Sequence, residues 1–275
     1  GFRNAFRITN GNQTSGFGAS DYFQFQHMIE DQNIANSGWI VNDSNSNITV
    51  SYWIRSSVAQ EFFGFVETYH GDDWMYGWST GTLTADTWTK ITKTIPGRSN
   101  LTWGNDNGAG LLVAPITLWG TTYTDSSVGN DAWHQYFSSS RTPDATSTWW
   151  TTNGATVDIT GVQVEVGSVA TDFEHRSFAQ ELALCQRYYE EGMVSQQSYV
   201  NSQQNIGVPA KYTTTKRATA TVTFTDDATP SSGNVASVSS VSVHRNRVDG
   251  AFSYTDSSGA GNYYFYYIYK ASAEL

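Results

Sequence analysis

Cysteine is almost absent from this 275-residue chain, Cys185 being the one thiol. A single cysteine excludes an intrachain disulfide and any zinc site built on more than one thiolate. On the apolar face of a helix it reads as a small buried hydrophobe, and the lack of covalent staples fits folding in a reducing cytosol. Charge is scarce as well, at 15% of residues, and 15 Lys and Arg stand against 25 Asp and Glu for a net −10. Clustered cations are what hold a phosphate backbone, so nucleic acid is not an expected partner. No apolar run approaches the roughly 18 residues of a membrane span. The opening GFRNAFRITNGN lacks the apolar core of a secretory signal, so no membrane insertion is expected. A first residue other than Met reads as the start of a fragment of something longer.

What fills the chain instead is aromatic residues, 15% of it, set among Thr, Ser, Asn and Gly. That composition suits half-buried pleated surfaces and tight turns, and the length allows two modest domains. Before residue 170 short strand patterns recur, among them YFQFQHMI, ITVSYWIRS, EFFGFVETY, GLLVAPITLWG and VDITGVQVEV. In NITVSYWIRSS, Ile48, Val50, Tyr52 and Ile54 share one face and Thr49, Ser51, Trp53 and Arg55 the other. About eight such strands predict a two-sheet antiparallel sandwich of the jelly-roll kind over 1–172.

After Gly167 the period changes. Phe178, Leu182, Cys185 and Tyr189 form a helical stripe, with Ser177 as N-cap, Glu181 reaching back to the first turn and Gly192 as terminator. A hinge and connecting helix therefore occupy 173–192. Glu174, His175 and Arg176 just before the helix read as orientation-fixing ion pairs rather than as catalytic groups, because consecutive side chains diverge. A smaller β-domain follows over 193–275, making the chain all-β apart from the helix. Its last strand, NYYFYYIYKASAEL, is apolar or aromatic on both faces, with Tyr263, Phe265, Tyr267 and Tyr269 on one and Tyr264 and Tyr266 on the other. Such a strand is either central in a compact sandwich or covered by another copy of the chain, and the second reading makes these residues an interface.

Sugar recognition needs flat rings for the apolar face of a pyranose, with amides or carboxylates for its hydroxyls. YHGDDWMYGWSTG places Tyr69, Asp72, Asp73, Trp74, Tyr76 and Trp78 in one glycine-punctuated stretch, and Trp119 and Trp133 add rings further on, with Tyr123, His134, Tyr136, Trp149 and Trp150 beside them. Some of these rings are simply sandwich filling, as Trp53 and Trp88 are expected to be. Catalysis is not expected. Glu61 and Glu67 share a strand face with nothing around them to specify a glycosidase, Asp72 and Asp73 point apart, and His27, His70, His134, His175 and His244 lack metal-motif spacing.

The segment ITGVQVEVGSVATDFEHRSFAQELALCQRYYE closely resembles one that recurs in bacteriophage tail-fibre and other virion-surface proteins. There a carbohydrate-binding-module-like jelly roll is followed by an acidic-His-Arg hinge and a Leu-Cys-Gln-Arg-Tyr-Tyr helix. YFQFQHMIEDQNIANSG, WTKITKTIPG, GNDNGAGLLVAPITLWG, KRATATVTF and ASAEL are similar to other parts of such fibres. The resemblance implies a homotrimeric fibre or spike on the virion surface, most naturally the tail, assembled in the host cytoplasm. It would adsorb to host-surface polysaccharide or lipopolysaccharide and join other virion proteins through a missing N-terminal part. By analogy with such jelly rolls a Ca2+ ion is admissible, with Asp158 as the nearest ligand. The alternatives are a head, neck or baseplate fibre without sugar binding, a capsule depolymerase, and a cellular carbohydrate-binding module.

Overall fold

The computed structural model describes residues 1–11, 16–200, 205–225, 235–254 and 261–274. The chain divides into two compact units, Gly1–Glu174 and His175–Leu275. Among the described residues it is all-β apart from two short helices. The division falls inside the expected hinge, and the helix belongs to the second unit instead of standing between the two.

In the first unit, β1 (Phe6–Thr9), β9 (Thr156–Val166), β3 (Asn47–Ser56) and β6 (Thr89–Pro96) form one antiparallel sheet in that order. The second sheet orders β2 (Tyr22–Glu30), β7 (Ala109–Trp119), β4 (Glu61–Thr68), β5 (Trp74–Thr82) and β8 (Trp133–Gln135). Helix α1 (Asp31–Ala35) follows β2 directly. The two sheets close on a shared core to which β3 contributes Ile48, Val50, Tyr52 and Ile54, the alternation read from the sequence. Phe62 and Val66 of β4, and Leu111, Val113, Ile116 and Leu118 of β7, fill it from the other side. Because strand side chains alternate, the residues between them, Phe65 on β4, Met75 on β5 and Leu112 and Ala114 on β7, build a separate small cluster on the opposite face of the five-stranded sheet. That face carries the groove described below.

Asp158 holds the other sheet together at the place where calcium was expected. Its carboxylate takes hydrogen bonds from Arg7 Nε (2.6 Å) and Nη2 (3.0 Å), and from Arg55 Nη2 (2.7 Å). Arg7 faces Asp158 in the β1–β9 register and Arg55 faces it in the β3–β9 register. The bonds from Arg7 above all, with those from Arg55, hold the carboxyl below its usual pKa against the opposing effect of burial. Two guanidiniums occupy both oxygens, so Asp158 is an ion-pair hub and the expectation of a calcium ligand there is corrected.

In the second unit α2 (Phe178–Gln186) starts at Ser177, whose hydroxyl accepts from Gln180 N–H while the Gln180 side chain accepts from Ser177 N–H. The N-cap is the expected one, and its reciprocal partner is Gln180, not Glu181. The helix ends at Gln186, before the residue expected to stop it. Gly192 instead pairs with Tyr269 inside β10 (Tyr189–Val200), where a Cβ would fall 2.6 Å from Tyr269 Oη. Cys185, expected to be buried, is exposed, as α2 buries none of its residues. Arg176 pairs with Glu181 at 3.5 Å, while Glu174 N–H donates to Gln163 Oε1 of β9. Arg176 is thus tied to the first turn of α2, and the Glu174 backbone to β9.

Among the described residues this unit carries two three-stranded sheets, β10–β15–β12 and β11–β14–β13. Their strands are β11 (Asn205–Lys211), β12 (Thr221–Thr225), β13 (Val235–Val243), β14 (Arg247–Tyr254) and β15 (Gly261–Ser272). β15 is the middle strand, which corrects the interface expectation for Tyr267 and Tyr269. Both are buried among Val208, Ala210, Tyr212 and Val248 of their own unit, with Tyr267 Oη donating to the Val208 carbonyl and Tyr269 Oη to Glu190. On that face of β15 the two rings are covered from within the unit, while Ile268 on the other face is half-buried. The side chains of Tyr263, Tyr264, Phe265 and Tyr266 lie outside the described residues.

Candidate functional site

A groove of about 390 Å³ crosses the outer face of the five-stranded sheet, lined by Tyr22, Gln24, Gln26, Glu67, Tyr69, Leu112, Trp119, Tyr136 and Arg141. Strand alternation supplies its first wall: in YFQFQ, Phe23 and Phe25 turn into the core, so Tyr22, Gln24 and Gln26 face out, and the two glutamine amides bond each other. Tyr22 and Trp119 are cross-strand partners between β2 and β7. Their rings stack with centroids 4.8 Å apart and planes 10° off parallel. Gly120 makes this meeting of strand ends feasible, since a Cβ there would lie 2.3 Å from the Ala19 carbonyl.

The second wall is the chain that returns from β8. Arg141 N–H donates to the Tyr123 carbonyl at 2.9 Å, and Thr124 pairs with Thr142, which fixes the loop. The Arg141 guanidinium carbon lies 4.4 Å from the Trp119 ring centre, 5.5 Å from Tyr123 and 5.2 Å from Tyr136. Its Nη2 donates to Tyr136 Oη at 2.7 Å. A cation so placed gains from the ring faces without using up its edge N–H groups.

Glu67 is the groove's carboxyl. It is 6% exposed, on the face of β4 opposite Val66. Burial pushes its pKa up to about 7; Arg141 pulls it down and Asp73 adds to the rise. Tyr69 follows beyond the strand end, 44% exposed, its phenol raised to about 12 by burial and by the nearby Glu67, Tyr136 and Asp73. Rings, amides, a carboxyl and a guanidinium therefore meet in one concavity.

Of the eight residues expected to bind glycan, Tyr69 and Trp119 line this groove and six do not. Tyr76 and Trp78 alternate with Met75 and turn into the sandwich core, 5% and 0% exposed. Trp74 lies under Arg98, 3.7 Å from guanidinium carbon to ring centre. Trp133 donates Nε1–H to the Pro96 carbonyl at 2.8 Å and meets Tyr76 edge-on. Asp72 and Asp73 sit exposed in the β4–β5 connection, where their carbonyls accept from Thr68 Oγ1 and Tyr136 N–H. Sequence reasoning missed Tyr22, Gln24, Gln26, Leu112 and Arg141, left Glu67 without a role, and named Tyr136 only among the neighbouring rings. The alternation of YFQFQ was a usable signal for the first three. Arg141 carried none, because its place depends on a loop closing across the sheet.

Trp53 and Trp88, expected to be packing, line a second groove of about 420 Å³ with Phe2, Asn4 and Thr160, and Arg55 lies over the Trp88 ring at 5.1 Å. Among the described residues no cluster of three or more His, Cys, Asp or Glu side chains could hold a metal, and no helix is long and apolar enough to cross a membrane.

No protein-family model matches the chain, and no curated protein matches it. Among solved structures it is similar to wild-type discoidin II from Dictyostelium discoideum, at 8% identity over 84% of this chain and 73% of that one, with a TM-score of 0.24. At that score the likeness bears on neither fold nor function.

Proposed function

We propose that the first unit is a non-catalytic glycan-binding module, that the Tyr22–Trp119–Arg141 groove is its sugar site, and that the chain is part of a virion fibre. The observation that carries the sugar reading is the groove itself. Tyr22 and Tyr69 stay 53% and 44% exposed beside a buried carboxyl, a guanidinium and two amides. That is the pairing of ring faces with hydroxyl-bonding groups a pyranose needs, in a volume typical of small-ligand sites. Glu67 is the one carboxyl among the described lining residues, with Asp73 near enough to raise its pKa.

The fibre reading rests on the resemblance of the hinge and helix segment. Its partners are host-surface polysaccharide or lipopolysaccharide and further copies of the chain, which multiply weak sites by avidity. The test is binding of the full chain to a broad glycan array and to candidate host cells, beside a Tyr22→Ala, Tyr69→Ala double variant. Loss of glycan and cell binding in the variant is the expected result. Silence of the unaltered chain on both surfaces points to a fibre component without sugar binding, and release of reducing ends from capsule points to a depolymerase.

A further inference from the structure

We propose that the groove selects saccharides that carry a carboxylate, with Arg141 as the residue that pairs with it; this rests on the glycan-binding reading above. Elsewhere in the chain Arg7, Arg55, Arg176 and Arg247 each meet a carboxylate within 3.5 Å. Among the described residues Arg141 meets none, and neither does Arg98, which covers Trp74; of these two Arg141 lines the groove. Its guanidinium is held by ring faces and by one hydrogen bond to Tyr136 Oη, and its Nε is buried without an acceptor. A guanidinium offers five N–H donors in a planar fork that fits a carboxylate at two points. Held at the groove wall by Trp119, Tyr123 and Tyr136, it loses little further freedom on pairing.

Glu67, the other charged residue of the lining, decides when such a ligand is accepted. As a carboxylate it repels an anionic sugar; as a neutral acid it can donate to one. The groups that face it are Arg141 across the groove, Tyr69 and Asp73 from the chain after β4, and Tyr136. With its carboxyl poised at about 7, the neutral form falls roughly tenfold between pH 6 and pH 8. The net charge of −10 opposes anions at long range, so selectivity comes from contact in the groove and not from steering.

The experiment is calorimetric or interferometric binding of the full chain to polygalacturonate, hyaluronan and polysialic acid. Methyl-esterified polygalacturonate, dextran and mannan are the neutral probes, all at pH 6 and pH 8. The expected result is at least tenfold preference for an acidic probe over its neutral counterpart. That preference disappears in Arg141→Gln while the tryptophan-detected unfolding midpoint stays close to that of the unaltered chain. Binding to the acidic probe weakens about tenfold from pH 6 to pH 8, and Glu67→Gln flattens that profile. Equal binding to the esterified and free acids, or a loss in Arg141→Gln that is the same for both, overturns the proposal and makes Arg141 a support for Trp119. Neutral-probe binding that needs Tyr22 overturns it and leaves the glycan reading standing. No binding to any probe at either pH overturns both.

Discussion

The indole of Trp78 lies over the bare Cα of Gly64, its cross-strand partner between β4 and β5; a Cβ on Gly64 would fall 2.5 Å from Trp78 Cε2. Trp78 is fully buried there, its Nε1–H donating to Tyr52 Oη at 3.1 Å. Gly64→Ala therefore forces a fully buried indole to move in a close-packed core, at a cost of about 1–3 kcal/mol. All ten tryptophans precede residue 151, so fluorescence-detected unfolding reports on the first unit. The midpoint should fall by roughly 2–4 °C per kcal/mol for a unit of this size. An unshifted midpoint would mean that the indole has room this packing does not show.

The same pair shows how far the sequence was legible. Period-2 patterns located the strands and the core face of β3 because each residue's environment there follows from its neighbours two positions away. WMYGWSTG obeyed the same rule, yet its glycines made it look like an exposed loop. Gly64 serves packing instead, and Trp78 turns inward over a glycine fourteen positions earlier. Arg141 and Tyr22 meet over Trp119 through three separate chain segments, a convergence with no local signature. β15 was ambiguous because aromatic residues on both faces fit a central strand and an interface equally well. Burial of Tyr267 and Tyr269 inside their own unit decides it for those two residues.

Glu67 should make the first unit less stable as pH rises. Its carboxyl titrates at about 7 when folded against 4.5 as a free side chain, so the folded state binds the proton more tightly. The stability this gives is complete below pH 4.5 and is lost between there and pH 7. Glu67→Gln, which stays neutral, should match the unaltered chain near pH 4.5 and exceed it by about 3 kcal/mol at pH 8, the equivalent of that shift. Urea unfolding by tryptophan fluorescence at the two pH values measures the difference. A variant no more stable at pH 8 would place Glu67 in contact with water or with a donor.

Glycan binding should depend on Tyr22 and Tyr69 but not on Trp133. Tyr22 is half exposed and its ring lies on Trp119, so Tyr22→Ala removes a stacking surface with little effect on the core. Losing one such ring contact weakens binding roughly tenfold, about 1.4 kcal/mol. Trp133→Phe gives up the bond to the Pro96 carbonyl and should lower the unfolding midpoint while leaving affinity for any array-positive glycan unchanged. An affinity loss in Trp133→Phe at constant stability would move the site to the β8 edge.

The second unit should lose stability in acid through one buried ion pair. Glu190 and Lys216, 5% and 0% exposed, form an ion pair of 2.8 Å at its centre. Thr213 N–H donates to Glu190 at 3.0 Å, Tyr269 Oη donates at 2.9 Å, and Lys216 Nζ also donates to the Gln186 carbonyl. Burial works against the Glu190 carboxylate, but the bonds from Lys216, Thr213 and Tyr269 outweigh it and hold its pKa below the ordinary 4.5. The stability this contributes is present above pH 4.5 and is lost as pH falls through the depressed value. Glu190→Gln should remove that acid transition. Lys216→Met leaves a buried carboxylate without its cation and should cost roughly 3–5 kcal/mol at pH 7. Replacing both residues together should cost less than Lys216→Met alone, because no unpaired charge then remains. With no tryptophan in this unit, tyrosine near-ultraviolet dichroism or hydrogen exchange of β10 and β15 follows it. Coincident acid unfolding of the Glu190→Gln variant and the unaltered chain would show that the pair carries no pH dependence of its own.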